Sequence, residues 1–300
     1  MKKASLKQVA LLLLTAMIWG GAFVAQSVGL DYVGPFTINA VRFLIGGLVL
    51  VPCIAVMERV QDRDGQKRDR GSGRDLLVGG LCCGLALCVA SNLQQIGIAY
   101  TTVGKAGFLT ALYVVIVPFL GLLFGKKLRP MIWVCVALAL AGLYLLCMTA
   151  AEGLGKGDIL VLLCALAFSV HILVVDHFSS KVDPVRLSCV QFLVSGLVAS
   201  VPMLLLEQPT VTAVLSAWQP ILYAGVLSCG VAYTLQAVAQ RDCDPTVCSL
   251  VLCLESVFSV LFGWLLLGQA LTAREWLGCV LRFGAIVLAQ LPERKKPAAI

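Results

Sequence analysis

The sequence predicts an all-α membrane protein whose ten transmembrane helices form two inverted five-helix repeats. Three observations lead to this fold class: the composition, a series of ten apolar runs, and a likeness between the two halves of the chain. Hydrophobic residues make up 60% of the 300 positions and charged residues only 13%, whereas an ordinary soluble domain has about 25% charged residues. The mean hydropathy is +0.95. This composition excludes a cytosolic globular enzyme and an intrinsically disordered chain.

Ten apolar runs follow one another, and each is close to the roughly 20 residues that a helix needs to cross about 30 Å of hydrocarbon. They span residues 8–30, 35–57, 76–98, 102–124, 131–149, 158–178, 187–206, 218–238, 246–268 and 273–291. Barrel strands would be shorter and would alternate polar with apolar residues, so the runs are predicted to be helices. The longest polar connection, residues 58–75, is predicted to be a solvated loop.

Lysine and arginine are distributed unevenly between the two sides of this arrangement. If the N-terminus is cytoplasmic, 18 of the 23 lie on the cytoplasmic side, 3 lie outside, and Arg42 and Arg282 fall within spans. The positive-inside rule therefore predicts a multi-pass cell (plasma) membrane protein whose termini, 58–75 loop and 125–130 loop are cytoplasmic. The net charge of +7 follows from this topology and does not indicate a nucleic-acid partner. The 13 cysteines lie mostly inside apolar runs, where they are expected to pack as small apolar side chains.

The two halves of the chain, residues 1–150 and 151–300, resemble each other. A shift of 149 residues aligns the segment AVRFLIGGLVL with CVQFLVSGLVA, and a shift of 143 residues aligns Trp133 with Trp276. Each half contains five spans, which is an odd number, so two similar halves must enter the membrane in opposite directions. Inverted repeats of this kind are typical of secondary transporters, whose substrate sites lie between the halves near the midplane of the membrane.

Several motifs occur in a characteristic order. The first span contains IWGGAFVAQSVGL, the second PFTINAVRFLIGGLVL, the fourth TTVGKAGFLTALYVVIVP and the ninth SLVLCLESVFSVLFGWLLLGQAL. Together they resemble the drug/metabolite transporter superfamily, in its EamA-type branch, over essentially the whole chain. The resemblance implies two inverted five-helix halves around a central cavity. It also implies export or uptake of amino acids, other metabolites or drugs.

Three features depart from the pattern of that family. Glu255 is followed by Ser256, where the family usually has proline. The ninth span ends with Gly268 and Gln269 instead of Gly-Glu, and Arg282 stands where the tenth helix is usually apolar. These departures leave the fold unaffected, and they put the coupling ion and the substrate in question.

Polar and aromatic side chains within the spans are the candidates for lining the central cavity, because a polar group in hydrocarbon needs a partner or a wet site. The predicted substrate-binding residues are Trp19, Asn92, Gln95, Tyr113, His171, Tyr233 and Gln236. Each of them could instead serve packing or hydrogen bonding between helices. His171 could also carry a proton.

Three charged residues within the spans have their own expectations. Arg42 could bind a substrate carboxylate as a cavity cation, or it could extend to the membrane interface. Its repeat partner is the neutral Gln191. Glu255 and Arg282 lie at the same depth, roughly 14 Å from the cytoplasmic face at 1.5 Å per residue, on neighbouring antiparallel helices. We predict a structural ion pair between Glu255 and Arg282, and the alternative is that Glu255 carries a coupling proton.

The leading functional interpretation is a secondary transporter, more specifically an exporter, of small organic metabolites such as amino acids or drugs. It would work by alternating access between the two repeats. The alternatives are a nucleotide-sugar or sugar-phosphate exchanger of the same superfamily, for which buried cations are few, and a membrane-embedded enzyme, for which motifs such as HExxH are missing. No catalytic site, metal site or cofactor is predicted. The expected partners are a small-molecule substrate and the lipid bilayer, and a homodimer is an open alternative.

Overall fold

The computed structural model describes residues 5–63, 71–101, 103–123, 125, 130–147, 155–267 and 272–290. Within these residues, eight helices are long and apolar enough to cross a membrane, and Pro130–Leu145 is a shorter apolar helix. Every predicted apolar run coincides with one helix or with successive helical segments, so the predicted all-helical fold is confirmed. Both termini and parts of the 58–75 and 125–130 loops lie outside the described residues, and the orientation in the membrane therefore stays a prediction.

The first half forms five spans from six described helices. Their bounds are α1 Leu6–Gly29, α2 Pro35–Arg63, α3 Gly73–Ile98, α4 Val103–Thr110, α5 Tyr113–Leu123 and α6 Pro130–Cys147. Proline begins α2 and α6, where its missing N–H has no partner to lose and its fixed φ suits the first turn. The Ser5 side chain caps α1 by accepting a hydrogen bond from the backbone N–H of Gln8. The fourth span consists of α4 and α5.

The second half forms the other five spans. The bounds of its helices are α7 Lys156–Ser179, α8 Pro184–Pro202, α9 Val211–Ser216, α10 Trp218–Leu222, α11 Thr234–Gln240, α12 Pro245–Leu252, α13 Glu255–Leu267 and α14 Ala273–Gln290. Two π-helical segments complete it: Met203–Glu207 extends α8, and Tyr223–Tyr233 joins α10 to α11 within the eighth span. The ninth span consists of α12 and α13, and α14 packs mainly on α6.

The fourth and ninth spans are both interrupted, and the two interruptions are equivalent in the repeat. The helices that follow them, α5 and α13, begin at Tyr113 and Glu255, and the shift that aligns Trp133 with Trp276 brings these two starts to adjacent positions. At each interruption the backbone tightens into hydrogen bonds between residues three apart, as in the bond from the Leu254 N–H to the Val251 carbonyl. Neither interruption was predicted from the sequence, because each segment has the length and overall apolar composition of one continuous span.

The second and seventh spans, α2 and α8, meet in reciprocal contacts. The rings of Phe43 and Phe192, which are aligned with each other in the repeat, stack with their centroids 6.2 Å apart. Gly47 lies against Leu193 of the other half, and Gly196 lies against the equivalent leucine of the first half. Such mutual contacts between equivalent residues are what an approximate two-fold axis produces. They confirm the predicted inverted repeat.

Two glutamates, which are also aligned with each other in the repeat, fasten the opposite ends of the α2–α8 pair. The Glu207 carboxylate accepts hydrogen bonds from the backbone N–H groups of Phe36 (2.9 Å) and Thr37 (2.7 Å) and from the Thr37 hydroxyl (2.6 Å). These N–H groups belong to the first turn of α2, where no helical partner is available. At the other end, Glu58 forms an ion pair with Arg186. The α2–α8 pair therefore joins the two halves at both of its ends.

Candidate functional site

A small polar cavity lies between the two halves, and both of them line it. Its volume is about 40 Å³, enough for roughly three water molecules. The residues that line it are Trp19, Ala22, Phe23, Gln26, Arg42, Gln94, Thr110, Tyr113, Phe168, His171, Ile172, Ser228, Tyr233, Gln236 and Glu255. Five of the seven predicted substrate-binding residues are in this set: Trp19, Tyr113, His171, Tyr233 and Gln236. A metabolite of amino-acid size needs a wider cavity than this conformation offers.

The first and sixth spans contribute equivalent positions to the cavity wall. In the alignment that pairs Phe43 with Phe192, Trp19 corresponds to Phe168 and Ala22 to His171, and all four of these residues line the cavity. The positions are therefore symmetric, while the side chains at these positions differ in size and polarity. The inverted repeat supplies the shape of the site, and the substitutions between the halves supply its chemistry.

Arg42 is buried in the cavity wall rather than extended to the membrane interface. Its side chain is 2% exposed, and its guanidinium lies over the ring of Phe43, 4.8 Å from the centroid. The Nε and Nη2 atoms form no hydrogen bond within the described part of the chain. A buried guanidinium with free donors is costly unless an anion or water satisfies it. The cavity thus has room beside Arg42 for water or an anion that would accept hydrogen bonds from Nε and Nη2.

An aromatic cluster forms the wall next to these donors. The rings of Trp19 and Tyr233 are 4.5 Å apart between centroids, and those of His171 and Tyr233 are 6.0 Å apart. The Nε2 atom of His171 lies 3.0 Å from the amide oxygen of Gln191, which places the ring proton on Nε2 and leaves Nδ1 as an acceptor. The indole Nε1 of Trp19 is buried and has no partner in the described residues. The cluster therefore combines flat apolar surface with two unused polar atoms.

Glu255 brings a carboxylate to the cavity from the interruption of the ninth span. It is 4% exposed, and its Oε1 accepts a hydrogen bond of 3.1 Å from the hydroxyl of Tyr113. This bond joins the first residue of α5 to the first residue of α13. A carboxylate in the first turn of a helix interacts favourably with the helix dipole. Glu255 and Arg42 thus give the cavity one carboxylate and one guanidinium cation, each from a different half.

The ion pair predicted between Glu255 and Arg282 stays a prediction, and the described contacts of Arg282 show a different direct partner. Arg282 donates from Nη2 to the backbone carbonyl of Cys253, while its charge interacts with Glu255 through space. The interruption of the ninth span explains the difference, since it exposes carbonyls at the end of α12 that need donors. Arg282 therefore lies at the end of α12, which carries a partial negative charge. Glu255 lies at the start of α13, which carries a partial positive charge.

Two predicted residues do not line the cavity. Asn92 accepts a hydrogen bond from Asn39 at 2.9 Å and donates to the carbonyl of Cys88, so it links the second and third spans. Gln95 donates to the backbone carbonyl of Gln26 at 3.1 Å and links the third span to the first. Both were placed in the cavity because they are polar, although their contacts are those of interhelical hydrogen bonding.

Four polar residues of the cavity were not predicted: Gln26, Gln94, Thr110 and Ser228. The internal repeat could have indicated Gln94. The shift that relates Tyr113 to Glu255 also relates Gln94 to the predicted Gln236, so the two glutamines occupy equivalent positions in the two halves. The side chain of Gln94 donates to the Thr110 hydroxyl at 3.2 Å, which fixes its orientation at the end of α4.

Comparison with known proteins identifies the family. Residues 6–148 and 155–291 each match the EamA-like transporter family. The chain belongs to the EamA-like transporter family. A relative from Archaeoglobus fulgidus, described as an uncharacterized transporter, is 31% identical over 285 residues, which cover 93% of this chain and 84% of the relative. The predicted membership of the drug/metabolite transporter superfamily is therefore confirmed.

Further relatives agree with a multi-pass membrane protein that functions in transport. The inner membrane transporter YedA of Escherichia coli (strain K12) is 25% identical over 288 residues, covering 94% of this chain and 90% of YedA. A WAT1-related chloroplastic protein of Arabidopsis thaliana is 24% identical over 288 residues, covering 92% of this chain and 67% of that protein. A crystal structure with 20% sequence identity matches the fold with a TM-score of 0.74, covering 95% of this chain and 97% of the other.

Proposed function

We propose that this EamA-family protein is a secondary transporter that exports small zwitterionic metabolites, with amino acids as the substrate class, by alternating access between its two repeats. The observation that carries the proposal is Arg42. Within the described residues its buried guanidinium has no hydrogen-bond partner at Nε or Nη2, and it lines the cavity between the halves. A substrate carboxylate would satisfy both donors in a charge-assisted, bidentate contact.

The carboxylate of Glu255, the second charged group of the cavity lining, supports a zwitterionic substrate over a simple anion. Glu255 supplies a carboxylate whose hydrogen-bond partner among the described side chains is Tyr113. Arg42 and Glu255 together make the charged lining neutral overall, and a substrate with one carboxylate and one ammonium group matches that balance. A sugar phosphate or nucleotide sugar carries two or more negative charges, and its site would need an excess of cations. The aromatic cluster of Trp19 and Tyr233 offers an apolar wall for a side chain.

The small volume of the cavity supports alternating access. At about 40 Å³ the site excludes a metabolite, so substrate entry requires the halves to move apart on one side. The α2–α8 pair is fastened at both ends by Glu207 and Glu58. Relative motion would therefore occur mainly in the other spans, including the interrupted fourth and ninth spans. Rocking of two inverted halves around a fixed site is the general mechanism of such folds.

The test is counterflow in liposomes with the purified full-length protein. Three matched panels are compared: L-amino acids, the primary amines that lack their carboxylate, and sugar phosphates. We expect accumulation of labelled amino acids and little accumulation of the amines or the sugar phosphates. Exchange of sugar phosphates, or the absence of exchange for every amino acid, would contradict the proposal. Release of the identified amino acid from loaded cells that express the protein would then test the export direction.

A further inference from the structure

We propose that Arg282 acts as a tethered cation at the interruption of the ninth span, at the place where other transporters bind a coupling ion. In many secondary transporters the unwound carbonyls and the C-terminal end of a half-helix coordinate Na⁺ or accept a proton nearby. Here a side chain of the tenth span supplies the positive charge. The intact protein would accordingly need no coupling cation at this position, a consequence for transport that rests on the proposed function.

The first observation is the contact that Arg282 makes. Its guanidinium is 1% exposed and donates to the carbonyl of Cys253, the residue that follows α12. The carbonyls at this end carry the partial negative charge of the half-helix. Gly142 of α6 makes room for the arginine, because a Cβ there would lie 2.8 Å from Cγ of Arg282. The tenth and fifth spans are therefore shaped to bring a cation to the interruption.

The second observation is the acid beside it. Glu255 begins α13 two residues after Cys253 and interacts with Arg282 through space. The titratable and charged groups that face Glu255 from the surrounding elements are Tyr113, Cys164, Tyr233, Cys253 and Arg282, together with Arg42 and His171 of the same cavity lining. Of the two permanent cations in this described set, Arg282 is the one that also contacts the interruption. It therefore adds a positive charge beside the Glu255 carboxylate and the Cys253 carbonyl from outside the cavity lining.

The third observation comes from the other half of the same chain. The interruption of the fourth span has Tyr113 at the helix start that Glu255 occupies in the ninth. The alignment of Trp133 with Trp276 places Leu112 at the position of Glu255 and Ala139 at the position of Arg282. Where the acid is replaced by a neutral residue, the cation is replaced as well. This paired difference between the halves is what we expect if Glu255 and Arg282 act as a unit in this chain.

Removal of the guanidinium would leave oxygen ligands without a cation. The Glu255 carboxylate, the Cys253 carbonyl and the Tyr113 hydroxyl are hard donors, which suit a small cation such as Na⁺. A proton on Glu255 is the other source of positive charge. The variant Arg282→Met should therefore acquire a dependence on Na⁺ or on protons that the wild type does not have.

The experiment measures thermal unfolding of the full-length protein in detergent, which needs no substrate and is thus independent of the proposed function. Wild type and Arg282→Met are compared in sodium chloride and in choline chloride at equal ionic strength, each at pH 8 and pH 5.5. We expect Arg282→Met in choline at pH 8 to lose roughly 5–10 °C in Tm. Na⁺ or the lower pH should recover at least half of that loss, and which of them does so distinguishes the two cations. The wild type should not respond to Na⁺.

Three further variants complete the test. Arg282→Lys keeps a tethered charge and should remain insensitive to Na⁺. Arg274→Met removes an exposed arginine from the same helix and should behave as the wild type. Glu255→Gln combined with Arg282→Met removes the acid as well, so its Tm should not respond to either cation, and its yield should exceed that of Arg282→Met if the single variant folds poorly. Three outcomes would overturn the proposal. Arg282→Met could lose the same Tm in all four buffers, or the wild type could respond to Na⁺ as the variant does. If Arg282→Met does not fold, a double variant that folds no better would also overturn it.

Discussion

The two halves of the molecule share their backbone plan and differ in the charges that they bring to the centre. Both have an interrupted span at equivalent positions, and both place equivalent residues of their first spans in the cavity wall. Yet the first half supplies Arg42 where the second has Gln191, and the second supplies His171 where the first has Ala22. The duplicated part of the structure provides two similar interrupted spans. Under the proposed function, the differing charges would give a substrate with two unlike ends one preferred orientation.

The contacts between the halves show the same division. Phe43 and Phe192, or Gly47 and Gly196, form contacts that are equivalent under the two-fold relation. The fastened ends of α2 and α8 use equivalent glutamates, but one bonds backbone N–H groups and the other an arginine. Packing contacts are thus the most symmetric part of the molecule, while polar contacts have diverged. We therefore expect substitutions of equivalent packing residues in the two halves to have equal effects. Substitutions of equivalent polar residues should have unequal effects.

The largest expected effect concerns the symmetric glycines. Gly47→Val and Gly196→Val each insert a branched side chain at a place where even a Cβ would lie 2.8 Å from a leucine side chain of the opposite half. Overpacking of this kind costs about 1–3 kcal/mol, which should lower the Tm by roughly 5 °C. The two variants should agree within about 2 °C, since their contacts are reciprocal. The measurement is thermal unfolding of each purified variant.

Gly284→Val is the matched control for this pair. Gly284 also lies in a membrane-spanning helix, and no atom of another described helix lies within 4 Å of the position that its Cβ would take. Its Tm should therefore stay close to that of the wild type. If one of the two symmetric glycines tolerates valine while the other does not, the reciprocal packing of α2 and α8 is not what stabilises the interface.

A smaller and unequal effect is expected for the two glutamates. Glu207→Gln removes a carboxylate that accepts two backbone N–H bonds at the start of α2, and loss of such a cap costs about 1–2 kcal/mol. Glu58→Gln breaks a partly exposed ion pair with Arg186, which is worth less than about 1 kcal/mol. Thermal unfolding in low and high salt distinguishes them, because screening should weaken only the Glu58 contact. Equal losses, or a larger loss for Glu58→Gln, would contradict this assignment.

Most of the fold could be predicted from the sequence, because the length and apolarity of a span depend on local composition alone. The ten predicted runs match the helices closely, and the repeat was visible in AVRFLIGGLVL and CVQFLVSGLVA. The interruptions at Tyr113 and Glu255 could not be predicted in this way. Each interruption lies inside a segment whose length and composition are those of one span. The interruptions are stabilised by contacts from other spans, such as the hydrogen bond from Arg282 to the Cys253 carbonyl.

The site was predicted in part, and the errors have a common cause. Residue type identifies a polar side chain inside a membrane, but only its position on the helix decides whether it faces the cavity or a neighbouring helix. Gln236 and Gln95 carry the same amide and both lie in apolar spans, yet Gln236 lines the cavity while Gln95 donates to the Gln26 backbone carbonyl. The Glu255–Arg282 prediction matched the two charges by depth and overlooked the carbonyls that an interrupted helix exposes.

Arg42 provides the most direct test of the central claim, namely that the two halves give the cavity a fixed polarity for a substrate carboxylate. The measurement is counterflow of one amino acid and of its decarboxylated amine, for the wild type and for Arg42→Gln. This substitution places in the first half the residue that the second half already has at the equivalent position. Arg274→Met serves as the control for the loss of one positive charge at an exposed site.

We expect the wild type and Arg274→Met to prefer the amino acid over the amine by roughly 10- to 100-fold, the value of a charge-assisted hydrogen bond in a buried site. In Arg42→Gln this preference should fall to near unity, with amino-acid transport reduced by the same factor and the Tm close to that of the wild type. A folded Arg42→Gln protein that still prefers the amino acid by the wild-type factor would contradict the account, since the carboxylate would then be recognised elsewhere.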